Sequence, residues 1–114
     1  MIHTTEYGNE IVVVRPGVER LTAVNAAEFK ADVVALIEGG SSQLIVDFED
    51  VTFMDSSALG ALVGILKKIG HRGDIVICGL DEDLEQMFRI SRMDRVFTAY
   101  PDTKAAIQGM TEKL

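Results

Sequence analysis

Apolar and polar positions change period near the middle of this chain, and the change marks out its most informative segment. Residues 44–46, Leu-Ile-Val, form a continuous apolar run that ends in Asp47, Glu49 and Asp50, the pattern of a buried strand with an acidic exit. A second apolar patch over residues 51–54 leads to Asp55-Ser56-Ser57. Beyond it Leu59, Leu62, Val63, Leu66 and Ile69 recur at spacings of three and four, which predicts a helix over 57–69 closed by Gly70. Ser56 and Ser57 therefore fall where a loop hands over to a helix. That position favours a hydroxyl as N-cap and sets free backbone N–H groups and the positive end of the helix dipole beside it. A phosphate on such a serine is expected to find local donors while adding about −1.5 to −2 charges to an exposed surface.

The remaining elements follow from the same signals. Residues 3–7 and 10–15 read as two strands around Gly8-Asn9, which tolerate positive φ and suit a tight hairpin. Pro16-Gly17 ends the second strand. Val24, Ala27, Val33, Val34 and Ile37 predict a helix over 24–38, with Thr22 or Asn25 as cap and Gly39-Gly40 as stop. Strands are expected at 43–47, 74–78 and 96–99, and helices at 82–90 and from Thr103 onward. Helices that separate successive short apolar strands predict an α/β fold, with a mixed sheet of four to five strands covered by about four helices. Gly60 and Gly64, four apart inside the second helix, are read as a small-residue packing groove. A flat docking surface coexists with that groove if one of them faces outward.

Length and composition bound the function classes. The 114 residues suit one domain over 1–114, and 47% hydrophobic with 25% charged residues is ordinary globular composition. A formal charge of −7 opposes generic phosphate-backbone binding, so no nucleic-acid partner is expected. Lys67, Lys68, His71 and Arg72, and separately Arg89, Arg92 and Arg95, read as cations near helix C-termini. The amino terminus lacks the basic-then-apolar pattern of a signal peptide, and no apolar run approaches the ~20 residues of a membrane span. The lone Cys78 reads as a small buried hydrophobe, and the expected location is the cytoplasm.

Enzyme chemistry finds little support in the residues. Nucleophilic attack by Ser56 needs a base, and neither His3 nor His71 has an acidic orienting partner at a recognisable spacing. Both histidines are expected in solvent. Asp47, Glu49, Asp50 and Asp55 lack the fixed geometry of a metal site and read as a solvated acidic loop. The glycine-rich loop of an ATP site is absent, so no metal or cofactor is expected and any phosphate has to come from another protein.

The segment VDFEDVTFMDSSALG resembles the signature of STAS domains, in particular the stand-alone bacterial anti-anti-sigma factors, or anti-sigma factor antagonists. That signature runs from an apolar strand through an acidic turn to Asp-Ser/Thr-x-Gly-Leu-Gly, and the resemblance extends over residues 11–107. Ala58 stands where glycine is usual, and Thr22 where relatives of the sporulation type carry aspartate. The resemblance implies a STAS fold and a non-enzymatic, phosphorylation-controlled partner switch. It implies Ser56 as the modified hydroxyl and Asp55, Ser56, Ser57, Ala58, Leu59, Gly60 and Thr22 as the partner-binding set. It further implies a GHKL-type serine kinase that doubles as anti-sigma factor, and a PP2C-type phosphatase that resets the serine. The alternative is a STAS scaffold or small-ligand sensor that is never phosphorylated.

Overall fold

The computed structural model describes residues 1–114. Three apolar pentapeptide strands form the centre of the main sheet: β2 (Ile11–Arg15), β4 (Gln43–Asp47) and β6 (Asp74–Cys78). Each is apolar on consecutive positions because both faces of the sheet are covered. β1 (His3–Tyr7) flanks β2, and β7 (Ala99–Tyr100) flanks β6. The order is β1-β2-β4-β6-β7, with β1 antiparallel to β2 and every other neighbour parallel. A separate parallel pair joins β3 (Arg20–Leu21) to β5 (Phe53–Met54).

The strand order explains the layers. From β2 onward the chain crosses the sheet in one direction, and α1 (Ala26–Glu38), α2 (Ser56–Ile69) and α3 (Glu82–Ile90) share one face. Phe29, Val33, Leu62, Ile65, Leu84 and Phe88 pack there against Val12, Val14, Leu44, Val46, Ile75 and Ile77. With no further strand to reach, α4 (Thr103–Glu112) folds over the opposite face. Its Ala106 and Met110 lie on Ile11, Val13, Ile45, Val76 and Cys78. The expected strands at 43–47 and 74–78 and the helix at 82–90 stand as read from the sequence.

Several boundaries differ from the sequence reading. Glu10 belongs to the first turn rather than to β2, because both Asn9 (φ 62°) and Glu10 (φ 60°) are left-handed and the connection spans three residues. Helix α1 starts at Ala26, so Val24 is outside its apolar face and is 93% exposed. There the Thr22 carbonyl accepts from Asn25 N and Ala26 N, and the Thr22 hydroxyl accepts from Val24 N, which turns Val24 outward. Asn25 occupies the cap position, but its side chain accepts from Thr22 N and donates to the Arg20 carbonyl instead of holding the helix. The last strand lies at 99–100 rather than 96–99, since residues 93–95 form a tight turn after the left-handed Arg92 (φ 64°) and Phe97 drops into the core.

Candidate functional site: the start of helix α2

Asp55, not a serine, caps helix α2. Its backbone is extended (φ −107°, ψ −176°), and its Oδ1 accepts from Ser57 N at 2.9 Å and Ala58 N at 3.2 Å. Oδ2 reaches across to Ala23 N at 3.0 Å. One carboxylate thus satisfies two free N–H groups of the helix start, places negative charge at the positive end of the dipole, and ties down the loop before α1. The same loop is held by backbone bonds from Thr52 N to the Glu19 carbonyl at 2.7 Å and from Asp55 N to the Leu21 carbonyl at 3.3 Å. These bonds and the β3–β5 pair bring residues 19–25 beside residues 52–57.

Ser56 is therefore the first residue of α2, exposed, and its hydroxyl makes no hydrogen bond within the chain. Two of the donors expected to receive a phosphate, Ser57 N and Ala58 N, are already used by Asp55. Ser57 and Gly60 are exposed too, and together with Ala23, Ala27 and Lys30 they line a shallow groove between the first turns of α1 and α2. Leu59 is half-buried against the core. Ala58 departs from the expected partner-binding set: it is 0% exposed, because its position faces the sheet. Thr22 sits at the turn beside this groove and uses its hydroxyl and carbonyl to hold that turn.

The two glycines separate in role. A Cβ on Gly64 would meet the far end of the Lys30 side chain at 2.7 Å, which can swing aside, so Gly64 makes room for that flexible side chain rather than for a close approach of the α1 and α2 backbones. A Cβ on Gly60 would meet nothing within 4 Å. Gly60→Ala is accordingly expected to raise stability by about 1 kcal/mol through helix propensity alone, read as a higher urea midpoint. A lower midpoint would mean that Gly60 serves the fold.

The sequence reading missed other features of this surface. Arg20 lies over the ring of the partly exposed Phe53, 4.2 Å from its centroid, and Val24 projects nearby in sequence. The Asn25–Thr22 turn was the available signal for Val24, since it breaks the helical period. Asp47 also departs from expectation: it is buried rather than part of a solvated acidic loop. Its carboxylate forms an ion pair with Arg15 at 3.3 Å and accepts from Thr103 Oγ1 at 3.2 Å and Glu49 N at 3.0 Å. Burial, followed by the negative charge of Asp47, pushes the neighbouring Cys78 thiol up to about 12, so it stays a neutral apolar side chain. His3 and His71 are exposed, and Arg72 donates to the Lys68 carbonyl at 2.6 Å, as a cation completing a helix C-terminus.

The largest cavity, about 580 Å³, lies away from Ser56, between the ends of β1 and β2 and the first turn of α4. No helix is long and apolar enough to cross a membrane.

Comparison with known proteins agrees with this geometry. A candidate anti-sigma factor antagonist of Thermotoga maritima is 27% identical over 107 residues, covering 92% of this chain and 94% of the relative. A Thermotoga maritima crystal structure of that description superposes with a TM-score of 0.87 at 23% identity, covering 96% of this chain and 94% of the other. The anti-sigma factor antagonist SpoIIAA, solved in its unphosphorylated form, gives a TM-score of 0.72 at 18% identity over 100% of both chains. The phosphorylated form of SpoIIAA, a Bacillus cell fate determinant, gives 0.69 at 20% identity, covering 95% of this chain and 98% of the other. These likenesses establish the mixed five-stranded sheet with four helices as the STAS fold. With the family model for the STAS domain matching residues 3–106, the chain belongs to the STAS domain family, and as a member it is a regulatory binding protein rather than an enzyme.

Proposed function

We propose that this chain is an anti-sigma factor antagonist that works as a serine-phosphorylation-controlled partner switch, with Ser56 as the modified residue. The observation that carries the reading is the state of Ser56: exposed, its hydroxyl unbonded, and first in a helix of which two free N–H groups, on Ser57 and Ala58, are already capped by Asp55. Unphosphorylated, the surface formed by Thr22, Asp55, Ser56, Ser57, Gly60 and the exposed edge of Leu59 docks on a GHKL-type kinase that also holds a sigma factor. Docking releases that client. Transfer of a phosphoryl group to Ser56 Oγ then ejects the module, and a PP2C-type phosphatase restores it. The names of the relatives support the anti-sigma part of this reading.

Intact-mass and phosphopeptide analysis of the protein from its native cells, beside a Ser56→Ala variant, tests it. An increment of about 80 Da on Ser56 that vanishes in the variant is the expected result. Absence of the increment under every growth and stress condition overturns the switch. It then favours an unmodified ligand sensor, for which the 580 Å³ cavity lined by His3, Tyr7, Arg15 and Thr103 is the corresponding site.

A further inference from the structure

The two edges of the main sheet are protected very differently. On one side β7 is only two residues long and is followed at once by Pro101, which cannot donate to a further strand. On the other side β1 pairs with β2 over five consecutive residues without a bulge, and all five of its residues are exposed. His-Thr-Thr-Glu-Tyr contains no proline or lysine and has two β-branched residues at its centre. A regular, unprotected strand of this kind presents a row of free N–H and C=O groups for another strand.

We propose that this edge pairs with β1 of a second copy of the chain, antiparallel about a two-fold axis through Thr5. The sequence of β1 is self-complementary in that register. Thr5 of one copy faces Thr5 of the other, Thr4 faces Glu6, and His3 faces Tyr7, each pair twice or on the axis. Thr–Thr and aromatic pairs favour strand pairing, and no like charges stand opposite one another. The faces agree as well. His3, Thr5 and Tyr7 lie opposite Arg15, Val13 and Ile11 in the ladder, on the face of the sheet carrying α4, whereas Thr4 and Glu6 lie opposite Val14 and Val12 on the face carrying α1. A two-fold axis normal to the sheet keeps each set on its own side.

Competing registers are poorer. Sliding by one residue sets side chains of opposite faces against each other. Sliding by two toward the turn places Glu6 against Glu6, and sliding by two the other way leaves Glu6 and Tyr7 without β1 partners. The assembly is a continuous ten-stranded sheet made of two five-stranded ones. A five-residue edge contact falls at the small end of specific interfaces, so the dimer is weak and concentration-dependent. Two chains of charge −7 repel, so added salt tightens it. No residue of the Ser56 surface lies in β1, and the pairing is independent of the proposed switch.

Sedimentation velocity of the full chain from about 20 µM to about 1 mM, the range where small interfaces assemble, tests the pairing. Reversible monomer–dimer behaviour is expected. Thr5→Lys puts two ammonium groups face to face on the axis and weakens association about fivefold or more, whereas Thr4→Lys sets a lysine against Glu6 twice and strengthens it about threefold or more. Both variants add one positive charge at an exposed position, so a general charge effect moves them in the same direction and only this register separates them. Far-UV circular dichroism verifies that each is folded. A monomer at every concentration, or two variants that shift alike, overturns the proposal.

Discussion

Arg15→Met is expected to cost the fold about 3 kcal/mol, clearly more than Asp47→Asn, although Arg15 is the more exposed of the pair. The asymmetry follows from where each charge resides. The Asp47 side chain is 1% exposed and that of Arg15 is 48% exposed. Removing the guanidinium leaves a carboxylate buried with only Thr103 Oγ1 and Glu49 N as donors, and an uncompensated buried charge costs about 3–5 kcal/mol. The two remaining hydrogen bonds hold the cost at the lower end. Asp47→Asn removes the buried charge instead and leaves Arg15 partly in water near Glu49 and Asp50, each at 3.7 Å, so about 1–1.5 kcal/mol is the expected loss. The cluster joins the ends of β2 and β4 to the first turn of α4, which makes the whole domain the unit that loses stability. Urea unfolding of both single variants and the double variant measures the difference, and a decrease in Tm of about 10 °C for Arg15→Met accompanies it. An Asp47→Asn variant as unstable as Arg15→Met, or less stable, would show that shape rather than charge decides the site.

That cluster also marks where the sequence stopped being legible. Strands β2, β4 and β6 were readable because burial on both faces leaves consecutive β-branched and apolar residues. Helices α2 and α3 were readable because burial on one face leaves a period near 3.6. Asp47, in contrast, stands in an acidic run, and its burial depends on Thr103, 56 residues away in sequence. No local pattern carries that convergence. The pair β3–β5 was invisible for a related reason: two-residue strands have no period, and backbone bonds from Thr52 N and Asp55 N to the Glu19 and Leu21 carbonyls hold their surroundings. At the candidate site the motif located the helix start to within one residue. Asp55, Ser56 and Ser57 are all good cap formers, and only the geometry assigns the cap to Asp55 and so leaves the Ser56 hydroxyl free. Ala58 and Leu59 were grouped with the surface by motif membership, whereas helical phase puts Ala58 inside.

Phosphorylation of Ser56 is expected to weaken binding to the proposed kinase partner by about a hundredfold or more while leaving the stability of the fold within about 1 kcal/mol. Both halves follow from the same hydrogen bonds. The Ser56 hydroxyl makes no hydrogen bond within the chain, so no side-chain bond in the fold is lost when its oxygen is esterified. The favourable field of the helix start is already engaged by Asp55, whose Oδ1 holds Ser57 N and Ala58 N, so the phosphate gains little there and is repelled by the adjacent carboxylate. It therefore remains on the surface beside a like charge. Against a docked protein that charge has to be desolvated unpaired, and a few kcal/mol of such cost amounts to a hundredfold in affinity. Titration calorimetry of the purified partner with the phosphorylated chain, Ser56→Ala and Ser56→Glu measures the effect, alongside thermal unfolding of each. Ser56→Ala is expected to bind within about threefold of the unmodified chain, and Ser56→Glu, with one charge instead of nearly two, to lose about tenfold. Equal affinity of the phosphorylated chain and Ser56→Ala would remove the electrostatic switch. A loss of affinity accompanied by an equal loss of stability would mean that the phosphate acts by opening the Asp55 cap, because that carboxylate joins Ser57 N and Ala58 N of the helix start to Ala23 N.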